Sequence, residues 1–116
     1  MQMLYVVVDR AGTPLAEGLT ETEAAHEILT HDGEQYEIRA DEDGEGWVLW
    51  TRHQTANRPW TQTIFGSWQT DRDTAEAVIL AEVVRAADTF NGWTAEAIPQ
   101  ADWDEMQARL AEENAE

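Results

Sequence analysis

The chain has 116 residues, and its twenty-four acids face seven basic residues, all of them Arg, for a net charge of −17. This length suits one domain spanning 1–116, and 42% hydrophobic residues argue against disorder despite the charge. Naked nucleic acid and anionic membranes would repel such a surface, and without cysteine there is no disulfide, thiolate metal site or Cys nucleophile.

The elements are taken in chain order. Residues 4–8 are rich in β-branched side chains and are expected to form a strand buried on both faces. They meet charge at Asp9 and Arg10, so the segment reads as a strand and not as a signal peptide. Residues 9–14 make a turn. Thr20 opens a helix, with Glu23 at capping-box spacing and an apolar stripe of Ala24, Ala25, Ile28 and Leu29. Asp32 and Gly33 end it. Residues 35–40 alternate, with Tyr36 and Ile38 on one face, and an acidic turn leads to a strand over 47–52. These two strands should form a hairpin. A polar loop over 53–59 precedes a further strand over 60–69.

Asp71 or Asp73 caps the next helix, whose broad apolar face holds Ile79, Leu80, Val83, Ala86, Ala87 and Phe90, with Glu82, Arg85 and Asp88 pointing away. Asn91 and Gly92 stop it. Residues 93–98 read as either a short extended segment or a loop. Pro99 then introduces a C-terminal helix over 99–116 with a thin stripe of Trp103, Met106 and Leu110 and a frayed acidic end. The expectation is an α+β fold of order β-α-β-β-β-α-α, with one antiparallel sheet of about four strands and helices mainly on one face.

No motif identifies a catalytic activity. Asp41, Asp43, Glu45 and Gly46 imitate the start of an EF-hand loop, but Arg52 occupies the twelfth position and strands flank the turn. His26, His31 and His53 lack metal-site spacing, and Ser67, the only serine, falls inside an expected strand. Carboxylate pairs are too abundant to single one out. No metal, cofactor or catalytic residue is therefore assigned, and a non-enzymatic cytoplasmic protein is expected.

Two surfaces invite a binding role. The first is acidic: Glu23 and Glu27 lie one helical turn apart, and Glu34, Glu37, Asp41, Glu42, Asp43 and Glu45 could extend the same surface toward a basic protein partner. Many such basic surfaces belong to nucleic-acid-binding proteins. The second runs against the charge: Arg52, His53, Gln54, Asn57, Arg58 and Trp60 cluster in one loop, as in an anion or carboxylate site with an aromatic wall. The alternative there is a polar loop whose two Arg pair with surplus surface acids.

Trp47 and Trp50, three apart, point to opposite faces of an unbroken strand, and Ile64 and Phe65 do the same. The face away from the first two helices is then either covered by Trp103 and Met106 or open to a partner or a second copy, leaving monomer and homodimer both in play. Coverage is favoured, because an exposed aromatic face invites aggregation.

In size, charge and lack of motifs the chain resembles the small acidic inhibitor proteins of phage or mobile-element origin, such as anti-CRISPR proteins and other DNA mimics, and bacterial immunity proteins. That resemblance implies an acidic protein-binding module that occupies the nucleic-acid-binding surface of its partner. A small ligand-binding domain or enzyme using the Arg52–Trp60 loop is the alternative.

Overall fold

The computed structural model describes residues 3–42, 46–55, 57–87 and 94–114, the side chains of 63 and 64 excepted. The elements run β1 (Tyr5–Asp9), β2 (Pro14–Leu19), α1 (Glu21–His31), β3 (Glu34–Ala40), β4 (Trp47–His53), β5 (Thr61–Ser67), α2 (Arg72–Ala86), β6 (Ala95–Pro99) and α3 (Gln100–Glu113). The fold is α+β, and the strands described pair antiparallel. The expected single sheet is divided in two: one of order β2-β1-β6 and one of order β3-β4-β5.

Local chemistry explains that division. Asp9 Oδ1 accepts hydrogen bonds from the backbone N–H of Ala11 and Thr13, both at 2.9 Å, and Gly12 takes φ +84°. The chain thus reverses within four residues and continues as β2, so one edge of β1 is taken by its own hairpin partner. The other edge pairs residue for residue with β6, from Tyr5 opposite Pro99 to Asp9 opposite Ala95. The segment that read as strand or loop is therefore a strand, and it closes β1 off from β3–β5. Strand β2 went unread because its half-exposed sequence carries no alternating apolar pattern.

Other elements follow the sequence closely. Thr20 Oγ1 accepts from Glu23 N at 3.2 Å while Glu23 Oε1 accepts from Thr20 N at 2.9 Å, so the capping box is complete. Of the two candidate caps for α2, Asp71 is the one used, accepting from Thr74 N at 3.0 Å and Thr74 Oγ1 at 2.8 Å. Strands β3 and β4 form the expected hairpin, with Glu34 opposite His53 and Ala40 opposite Trp47. The sequence-based expectations for Asp88, Phe90, Asn91, Gly92, Trp93 and the Ile64 side chain fall outside what is described.

The main core lies where α1 and α2 pack against both sheets. Val7 and Ala95 from the first sheet join Ile38, Leu49 and Phe65 from the second, beneath Ile28, Leu29, Ile79, Leu80 and Val83. A second, smaller cluster sits on the far side of β1, where Val6, Val8 and Ile98 pack under Trp103 of α3. Alternation explains both: Val7 points one way, Val6 and Val8 the other, so β1 is buried on both faces as expected.

Helix α3 covers less than its stripe implied. Only Trp103 is buried on it, whereas Met106 and Leu110 remain 45% and 48% exposed. Among the described residues it packs chiefly against β1 and β6. The expected covering of the tryptophan-bearing sheet by Trp103 and Met106 is thus corrected: α3 covers the first sheet, because it follows directly on β6 and that strand belongs to the first sheet. Among the described residues no helix is long and apolar enough to cross a membrane.

Candidate functional site

Strand alternation sorts β3 and β4 into two sets. Tyr36, Ile38, Trp47 and Leu49 turn toward the main core. Gln35, Glu37, Arg39, Val48, Trp50 and Arg52 therefore lie on the opposite face, paired as Gln35–Arg52, Glu37–Trp50 and Arg39–Val48. Trp47 and Trp50 do occupy opposite faces, as their spacing required.

This outer face carries an alternating stack of rings and guanidinium groups. The Arg39 guanidinium lies 5.2 Å from the Trp50 ring centroid and 5.1 Å from that of Trp60. Arg52 also lies over the Trp60 ring, 4.9 Å from its centroid. The order is Trp50, Arg39, Trp60, Arg52, each of them half-buried. Each cation–ring contact contributes about 0.5–1 kcal/mol at an exposed site. Trp50 Nε1 is buried without a hydrogen-bond partner among the described residues.

Hydrogen bonds fix the cations further. Arg39 pairs with Glu37 at 3.0 Å, and Arg52 Nη2 donates to Gln35 Oε1 at 2.8 Å. Beyond Arg52 the face opens into a cleft of about 360 Å³ lined by Gln35, Arg52, Gln54, Thr55, Asn57 and Arg58. Trp68, after β5, is the most exposed large apolar residue among those described, at 69%. Its ring lies against Gly46, where a Cβ would come within 2.3 Å, so only glycine fits that end of the hairpin.

Of the residues marked for anion binding, Arg52 and Arg58 line this cleft together, and Trp60 backs Arg52. His53 does not join them. It pairs with Glu34 across the hairpin on the core-facing side, and its Nδ1 lies 2.8 Å from Thr55 Oγ1.

The acidic candidates are not gathered on one surface. Glu23 is held in the capping box, where the Thr20 N–H and side chain keep its carboxyl below the usual range. Glu27 is half-buried on α1. Glu34 and Glu37 lie on opposite faces of β3, one on the core side and one bound to Arg39. Burial raises the Glu34 carboxyl, with His53 and Arg58 pulling it back and Asp32 adding to the rise. Asp41 and Glu42 stand at the hairpin turn, and Asp43 and Glu45 lie outside the described residues. No three His, Asp or Glu side chains among the described residues converge as metal ligands would.

Arg39 and Gln35 were missed as site residues by the sequence reading. The signal was present in the hairpin register: pairing 34 with 53 puts Gln35 beside Arg52 and sets Arg39 diagonal to Trp50. Trp60 reaches the same face from the loop before β5, which no local pattern announces. No protein-family model, curated protein or solved structure matches this chain.

Proposed function

We propose that this protein is a binding module for a basic partner protein, anchored through the uncovered face of its second sheet. The observation that carries the reading is the Trp50–Arg39–Trp60–Arg52 stack on a sheet face that no described helix packs across. Trp and Arg dominate the energetics of protein interfaces, and here both are pre-ordered by mutual stacking and by Glu37 and Gln35. The charge of −17 plays a different part: it speeds encounter with a basic protein and discourages nucleic acid. A partner whose basic surface normally holds nucleic acid would lose access to it once docked, which is the inhibitor role the DNA-mimic resemblance implies.

The test is retention of proteins on the immobilised chain at low and high salt, repeated with Trp60→Ala and with Glu27→Lys. The expected result is a basic protein held at low salt, lost with Trp60→Ala and captured more slowly with Glu27→Lys. Retention that ignores Trp60→Ala would move the interface off this sheet, and retention of no basic protein would end the proposal.

A further inference from the structure

We propose that the cleft between Arg52 and Arg58 is a carboxylate-binding site, which receives a side-chain or C-terminal carboxylate of the partner. The inference rests on the binding reading above and sharpens it, because it assigns the chemistry of one contact.

The argument begins with the fate of the arginines. In a chain with twenty-four acids and seven Arg, a guanidinium is expected to find a carboxylate. Among the described residues at least four do: Arg39 with Glu37, Arg72 with Glu76, Arg85 with Glu82 and Arg109 with Glu105. Among the described residues Arg52 and Arg58 pair with none, and these two line the same cleft. Glu34, whose carboxyl feels the Arg58 charge, stands on the core-facing side of β3, and burial disfavours its ionised form. Among the described residues neither arginine of the cleft is held in an ion pair with a surface acid.

The cleft is also equipped for a planar anion. Arg52 is held edge-on by Gln35 at 2.8 Å and flat by the Trp60 ring at 4.9 Å, so little side-chain freedom remains to be lost on binding. A guanidinium has five N–H donors, and the bond to Gln35 uses one of them. A carboxylate takes two parallel bonds from one fork and leaves lone pairs for a second donor. Arg58, Gln54 and Asn57 line the same cleft and carry further N–H donors. Gln54 is itself positioned: its side chain donates to Glu34 O at 3.2 Å and its backbone N–H to Gly33 O at 2.5 Å.

Charge selects among anions. The surrounding −17 opposes a polyanion at every phosphate, whereas a single carboxylate on an otherwise basic protein is opposed only once. A volume near 360 Å³ falls at the small end of the ~300–1,000 Å³ common for ligand clefts, in keeping with one carboxylate and its neighbouring atoms.

The test needs no partner. The chain labelled with ¹⁵N is titrated with propionate, which carries a side-chain carboxylate, and with N-acetylglycine, which carries a chain terminus. Acetamide, chloride and inorganic phosphate are run at matched ionic strength. Saturable shifts of the Arg52 and Arg58 Nε–H and of the Gln35, Gln54 and Asn57 amides with either carboxylate support the site, and the tighter of the two identifies the source. Arg58→Gln should weaken that binding roughly tenfold or more, the effect of losing a charge-assisted hydrogen bond. Arg52→Lys should weaken it too, since an ammonium neither forks nor stacks in the same way. Arg109→Gln, on α3, should leave it unchanged.

Shifts that chloride reproduces, or that survive Arg58→Gln in a folded variant, overturn the site. Saturation by phosphate but by neither carboxylate overturns the assignment of the ligand. A partner retained through Trp60 but indifferent to Arg58→Gln would sink this inference and leave the binding module standing.

Discussion

The two sheets are built alike, from three antiparallel strands each, yet they meet their surroundings differently. The first is covered twice, by α1 and α2 over Val7 and by Trp103 over Val6 and Val8. The second is covered once, and its outer face is finished by side chains alone. The difference lies in what alternates along the strands. Three consecutive valines leave β1 no face that water can tolerate, so two covers are required. On the outer face of the second sheet Trp50 of β4 and Trp60 from the loop before β5 stack with the guanidinium groups of Arg39 and Arg52, whose stems and flat faces shield the rings. A sheet face can thus remain open without being greasy.

The largest effect we expect tests the doubly covered side. Trp103→Ala removes the one buried side chain of α3 and should cost about 3–5 kcal/mol in denaturant melts, with faster amide exchange along α3. A much smaller loss would mean that the first sheet does not depend on its outer cover.

Trp60→Ala probes the open side. It should cost only about 1–2 kcal/mol, from two cation–ring contacts on a half-buried ring, while partner retention collapses. Equal destabilisation by the two tryptophan variants would erase the contrast and make the outer face a structural surface. Thr20→Ala, which opens the capping box beneath both sheets, should cost about 1 kcal/mol and leave partner retention intact.

Two smaller effects depend on pH. Glu23 and Asp71 are held below their usual values by hydrogen bonds at the caps of α1 and α2, Glu23 mainly by the Thr20 N–H and Asp71 mainly by the Thr74 hydroxyl. Their contribution is present above the pKa of an unfolded carboxylate, about 4, and is lost as pH falls through the lower folded values. Thermal melts through that acid range should show it, and Asp71→Asn should flatten the dependence. Glu34 has the opposite sign. Burial raises it, so the protonated form favours the folded state and that gain fades as pH rises through the folded value. Glu34→Gln should therefore raise the midpoint slightly at neutral pH, and a lower midpoint would show that the ionised carboxylate contributes to the cleft.

Local signals in the chain were enough for several elements. The capping box at Thr20 and Glu23, the apolar stripe of α1, the β3–β4 hairpin and the opposed directions of Trp47 and Trp50 all rest on contacts within a few residues or across one turn. The grouping of Arg52, Arg58 and Trp60 was legible too, since they are close in sequence; His53 falls on the other side of the strand, which depends on register. Among the described acids, Glu34 and Glu37 fall on opposite faces of β3 and Glu23 is taken up in a cap, a division that strand alternation and capping decide.

What the sequence determined alone is therefore periodicity, capping and charge: which segments are helix or strand and which side chains share a face. Which strands become neighbours was decided only in three dimensions. The Asp9 turn gives β1 to β2, and β6 returns from ninety residues away to take its other edge. That pairing carries α3 to the first sheet and leaves the second uncovered. Long-range strand pairing depends on competition among edges across the whole chain, which no local window contains.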